Sequence, residues 1–173
     1  MIHVVLLRGI NLGPKRRVAM ADLRAWLTEL GYTDVRTLLQ SGNAVVRTDK
    51  GPDEVREEVE AALAEGAGFT VDCVLRTAPE LRAVVDADPL GDVVTDPSRY
   101  VVSFLDVPGR WPEIDPAEYE PERVHLAERE AYFWLPNGQL KSRILAAFPP
   151  RKGEVATVRN WNTVTKLLAM AAE

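Results

Sequence analysis

One cysteine, Cys73, and two histidines, His3 and His125, are all that the 173 residues offer for disulfide or soft-metal chemistry. A lone cysteine excludes an intrachain disulfide and removes the usual mark of an oxidising compartment. Both histidines fall singly inside predicted strands, and Cys73 has apolar residues around it, so no metal site and no cofactor is predicted. Basic excess is also missing: the formal net charge is -5. General nucleic-acid binding draws its affinity from neutralised phosphates, and this balance disfavours it.

Other absences narrow the field further. Aromatic residues make up 7% of the chain, and none lies in the segments 2–7 or 44–48. Those segments would carry the stacking aromatics of an RNA-recognition sheet. The apolar run from Ile2 meets Arg8 after six residues, too soon for a signal segment or a membrane span. The cytoplasm is therefore the expected location. Gly138-Gln139-Leu140-Lys141-Ser142 has leucine where a phosphate loop needs its second glycine. Ser41 has no evident base to make it a nucleophile.

What is present is a normal globular composition, 46% hydrophobic and 27% charged. Ile2 to Leu7 is continuous, apolar and β-branched, the pattern of a central strand buried on both faces. Met20, Leu23, Leu27 and Leu30 recur at helical spacing before Gly31. Residues 35–39 and 44–48 form a predicted hairpin about Ser41-Gly42-Asn43. Pro52, Asp53 and Glu54 open a helix that Gly66-Ala67-Gly68 ends, and 69–75 is a fourth strand. Thr77 and Glu80 have the spacing of a capping box for a short further helix.

The predicted fold class is thus α+β, with a β-α-β-β-α-β ferredoxin-like half over residues 1–77. A short helix and linker cover 78–98. Residues 99–173 are read as a second, degenerate ferredoxin-like half with a C-terminal helix. Its expected parts are a strand at 99–107, a proline-rich segment with a short helix near 116–119, and a hairpin of 124–127 with 131–135. A helix at 139–148, a strand at 155–158 and a closing helix at 162–172 complete it.

The distinctive polar residues fall in three motifs. The loop after strand one and the hairpin between strands two and three leave the same end of such a sheet. Arg8-Gly9-Ile10-Asn11 should therefore lie beside Gln40-Ser41-Gly42-Asn43, with Lys15 on the same loop. Arg8, Asn11, Lys15, Gln40, Ser41 and Asn43 offer a guanidinium, an ammonium, amides and a hydroxyl. That set suits a carboxylate, a phosphate or a nucleotide-like edge. The same amides also commonly bond the carbonyls of their own turns. The third motif, Arg159-Asn160-Trp161-Asn162-Thr163, precedes an apolar helical stripe. Asn160 or Asn162 is a candidate N-cap and Trp161 a core anchor. Arg159, Asn160, Asn162 and Thr163 at a helix start also form a candidate anion site. Two further readings stay open. One is an enzyme acting on a small anionic substrate. The other is a protein-interaction module with Trp111 and Trp134 as anchors.

Leu6-Leu7-Arg8-Gly9-Ile10-Asn11, Met20-Ala21-Asp22-Leu23, Val35-Arg36-Thr37, Gln40-Ser41-Gly42-Asn43 and Arg159-Asn160-Trp161-Asn162-Thr163 together resemble the bacterial domain-of-unknown-function family DUF1697 over nearly the whole chain. Pro14, where glycine is more usual, and Val158, where a threonine or small residue often stands, depart from the pattern. The resemblance implies a pair of ferredoxin-like halves and brings no catalytic residue with it.

Overall fold

In a computed structural model, described over residues 1–172, the run Ile2–Leu7 forms strand β1, and its side chains from Val4 to Leu7 are buried on both faces of a sheet. The elements that follow are α1 (Met20–Glu29), β2 (Thr33–Leu38), β3 (Asn43–Arg47), α2 (Pro52–Ala67), β4 (Cys73–Thr77) and α3 (Ala78–Ala87). All pairings are antiparallel, in the order β2-β3-β1-β4, with Val5 opposite both Ala44 and Leu75. This is the ferredoxin-like order.

One face of this sheet carries Val5, Leu7, Ala44, Val46, Cys73 and Leu75 against the apolar stripes of α1 (Leu23, Leu27) and α2 (Val55, Val59, Leu63). Each large aliphatic side chain removed from water there contributes roughly 1.5–3 kcal/mol before chain entropy is counted. α2 starts with Pro52 at its first turn and ends on Gly68, whose φ of 82° lets its N–H reach Ala64 O. Thr77 and Glu80 form the expected reciprocal capping box. Glu80 N–H donates to Thr77 Oγ1, and Thr77 N–H donates to Glu80 Oε1.

β4 begins four residues later than its apolar pattern suggests. Its first partner is Leu7, opposite Cys73, and β1 has no residues beyond Leu7 to pair with 69–72. Those residues instead tie down the loop after β1.

The second sheet has the order β6-β7-β5-β8, built from β5 (Tyr100–Leu105), β6 (Arg123–Leu126), β7 (Glu130–Trp134) and β8 (Ala156–Asn160). The same connectivity repeats with its first helix missing. Residues 106–122 cross as a loop with one short 3-10 turn, Pro116–Tyr119, and Pro108, Pro112, Pro116 and Pro121 deny it helical hydrogen bonds. Trp111, Ile114 and Tyr119 from that loop pack on Val101, Phe133 and Leu135 instead. The helix expected at 139–148 is a single turn, α4 (Arg143–Ala146), and Pro149-Pro150 close off its extension. Ser142 Oγ accepts from Leu145 N–H, while the buried Glu122 carboxylate accepts from the N–H groups of Arg143 and Ile144.

By compactness the chain divides into residues 1–83 with 167–173, and residues 84–166. α3 and the closing helix α5 (Trp161–Ala171) each contribute residues to both units. Trp111 and Trp134 are not exposed anchors, contrary to the expectation. Trp134 retains 7% of its surface, and Trp111 packs edge-on to Phe148 with its indole N–H on Ala127 O. No helix among the described residues is long and apolar enough to cross a membrane.

Candidate functional site

The loop after β1 and the β2–β3 hairpin meet, as the topology requires. Leu6 pairs with Asn43, and Leu7 N–H donates to Gly42 O at 2.9 Å. Gly42 has φ 91°, and a Cβ there would lie 2.8 Å from Ile10 Cδ1 and 2.9 Å from Leu7 Cβ. Only glycine permits this approach.

Asn11 joins the two motifs. Its Nδ2 donates to Val18 O at 2.8 Å and to Gln40 O at 2.7 Å, while its Oδ1 accepts from Val18 N–H at 2.9 Å. The backbone of Asn11 has φ 56°, a left-handed conformation that asparagine tolerates better than most residues. By holding both polar groups of Val18, this one side chain sets the entry into α1, whose N-cap position, Ala19, provides no side-chain bond. Asn43 is buried and donates to Leu38 O and Ser41 Oγ. Asn11, Ser41 and Asn43 therefore serve the backbone and each other, as turn amides commonly do.

Arg16 is engaged as well. Its guanidinium donates to Gly9 O and Thr70 O and lies 4.8 Å above the Phe69 ring. Arg8 N–H donates to Asp72 O, so residues 69–72 brace the loop from its other side. Arg17 donates to Gly13 O.

What remains at this edge is a small, defined set. The side chains of Arg8, Lys15 and Gln40 are exposed and form no hydrogen bond or ion pair with the described residues. Beside them in sequence stand Leu12, 86% exposed, and Leu39, 54% exposed with φ 62°. Residues 8–19 include four cations and no acid. The edge is braced by hydrogen bonds, cationic and exposed, with two projecting leucines.

The third motif lies in the second unit and serves a different purpose. Asn160 Oδ1 accepts from Thr163 N–H at 3.0 Å, capping α5, and Trp161 stacks on Tyr100 with ring centroids 4.4 Å apart. Thr163 is buried. Arg159, 7% exposed, donates to Thr157 Oγ1 and Val158 O within the sheet, and burial lowers its pKa to about 10. Of the motif's polar side chains only Asn162 is exposed. The cap and the anchor match the structural reading, and Arg159 is not displayed at the helix start.

Among the described residues no group of three or more His, Cys, Asp or Glu side chains is arranged to hold a metal ion. Cys73 is buried, and desolvation pushes its thiol far above the ordinary range. Sequence reasoning missed Leu12 and Leu39. Leu12 had a visible signal, an isolated leucine in a polar loop with no periodic partner; Leu39 had none, since it closes an apolar strand pattern.

The family model described as "Protein of unknown function (DUF1697)" matches residues 1–132. The chain belongs to DUF1697. The matched span of DUF1697 contains both motifs of the first unit and ends within β7, so Arg159 to Thr163 lie beyond it. A conserved bacterial protein, SP0830 from Streptococcus pneumoniae, has a similar structure with a TM-score of 0.72 and 21% sequence identity, covering 98% of each chain. At that identity the likeness concerns the fold, which it shares from end to end with this DUF1697 member. No curated protein matches the chain.

Proposed function

We propose that the β1–α1 loop and the β2–β3 hairpin form a binding edge for a small anionic or nucleotide-like ligand, with Arg8, Lys15 and Gln40 as the contacting side chains. The observation that carries this reading is the sorting of the motif residues: the amides and Arg16 hold the loop, leaving two cations and one amide exposed and unpartnered. Side chains carried on a braced loop lose less ordering entropy on binding. Arginine offers a bidentate fork to a carboxylate or phosphate, and lysine adds a point charge. A reducing, cytoplasmic setting is consistent with a single buried cysteine.

The enzyme reading has less support. Asn11 and Asn43, the amides that would orient a substrate, are bonded to backbone carbonyls, and residues 8–19 contain no acid or base other than cations. A protein partner is favoured by one specific feature, the exposure of Leu12 and Leu39 beside the same cations. A thermal-shift series with nucleotides, phosphosugars and dicarboxylates tests the ligand reading. A ligand at one hundred times its Kd stabilises by roughly 2.7 kcal/mol. For a chain of this size that is about 5–11 °C in Tm. The shift should disappear in Arg8→Ala and Lys15→Ala. If no anion raises Tm, or if the shift survives both substitutions, the ligand binds elsewhere or not at all.

A further inference from the structure

A second feature of the first unit is independent of that edge. Between α1 and α2 lies a groove of about 410 Å³. Trp26, Glu29 and Leu30 line it from the α1 side, at helical spacings of three and four. Glu58, Ala61, Ala62, Glu65 and Gly66 line it from α2 at the same spacings, so two stripes form its walls. The small residues on α2 give the groove its depth. At Gly66 a Cβ would stand 2.4 Å from Trp26 Cε2, so the indole lies directly against the α2 backbone.

The charge on this groove is one-sided. Its three ionisable lining residues are all glutamates. Glu58 is engaged by Lys50 Nζ and Tyr32 Oη, each at 2.6 Å. Glu29 and Glu65 are exposed and meet no cation among the described residues, and the Trp26 indole N–H has no acceptor among them. An aromatic wall with two uncompensated carboxylates on its rim is complementary to a planar cation. A guanidinium stacks on indole through its face and donates to carboxylates through its edge.

We infer that the α1–α2 groove docks an arginine-bearing segment of a partner protein, through Trp26, Glu29 and Glu65. From Glu58 to Gly66 the α2 wall advances about 12 Å, the reach of three to four extended residues. A peptide segment, with apolar atoms on Ala61 and Ala62 and its guanidinium over Trp26, matches that length better than a single small cation does.

The test is fluorescence anisotropy at low salt with a labelled hexapeptide containing two arginines and two leucines, against the same peptide with citrulline in place of arginine. Citrulline keeps the planar shape and removes the charge. Binding of the arginine peptide should be saturable. It should weaken by about tenfold or more, which is 1.4 kcal/mol, with citrulline and in the E29Q/E65Q double variant. Asp92→Asn, in the other unit, should leave it unchanged, and raising salt should weaken it. Trp26→Phe, which keeps an aromatic ring at the wall, tests the stacking: it should lower affinity while circular dichroism stays native. The inference is overturned if the arginine peptide does not bind, if citrulline binds equally, or if E29Q/E65Q binds as wild type does. Arg8→Ala should have no effect in this assay, so its outcome is separable from that of the anion-binding edge.

Discussion

Replacing Asn11 by alanine removes the side-chain bonds that tie the β1–α1 loop to Val18 and to the β2–β3 hairpin, and their cost can be worked from the geometry. Three side-chain hydrogen bonds are lost, two to Val18 and one to Gln40. Each contributes a net of about 1 kcal/mol, with the higher values where a buried group is left without a partner. Alanine must also adopt the φ of 56°, at roughly 1 kcal/mol more than a residue that tolerates it. Allowing for water replacing the more exposed bond to Gln40, the sum is about 3 kcal/mol. In urea unfolding this is a lower midpoint at unchanged slope, and in a thermal scan a fall of about 6–12 °C. Arg8→Ala, three residues away on the same loop, deletes an exposed side chain without a partner and should change stability by less than about 0.5 kcal/mol. The division of the motif into structural and free residues is refuted if Asn11→Ala costs under about 1 kcal/mol, or if Arg8→Ala costs as much.

Substitutions at three other positions probe both units. Gly42→Ala should destabilise by about 2 kcal/mol or more by calorimetry, because the new Cβ meets Ile10 and Leu7 below 3 Å and φ is 91°; a neutral result would mean the hairpin moves away from β1 freely. Glu122→Ala leaves the Arg143 and Ile144 N–H groups without their acceptor and should cost about 2–3 kcal/mol, measured by urea unfolding, with Glu122→Gln milder. His3 is buried, its Nε2–H donating to Lys50 O, and Nδ1 has no partner. Burial lowers its pKa below 6.5, so the folded state favours the neutral ring. Stability is then complete above about pH 6.5 and declines as pH falls below it, since the unfolded chain takes up the proton first. Unfolding curves at pH 7.5 and 5.5 should show this decline, and His3→Gln should flatten it; an equal decline in the variant would assign the effect to other groups.

Much of the first unit was legible because short-range patterns agree with the long-range fold there. β1 read as a two-sided strand, and its ends match the ladder to β3 and β4. The Thr77–Glu80 box was visible as two residues at the right spacing. Adjacency of the first two motifs followed from connectivity alone. The second unit was less legible because its missing helix is replaced by side chains, Trp111, Ile114 and Tyr119, that pack without period. α4 is short because prolines stop it. Its start depends on Glu122, twenty-odd residues away and identifiable only once its carboxylate is placed.

At the candidate edge the types of residue were right and their roles were not separable beforehand. An asparagine that caps a turn and one that binds a ligand have the same amide. What sets the role of Asn11 apart from that of Gln40 is the pair of carbonyls its amide reaches, Val18 O and Gln40 O. Arg16 and Lys15 are adjacent cations, yet one is held by Gly9 O, Thr70 O and the Phe69 ring and the other is free. Such assignments depend on distances across 54 residues of chain, as for Arg16 and Thr70.

The most direct measurement is an NMR titration of the full chain with inorganic pyrophosphate and with citrate, following backbone amides at fixed ionic strength. Binding at the proposed edge should shift the amides of Arg8, Leu12, Lys15 and Gln40 together along one saturable curve, and Arg8→Ala should abolish that curve while the spectrum stays folded. Shifts confined to other residues, or none with either anion, would contradict the placement of the site.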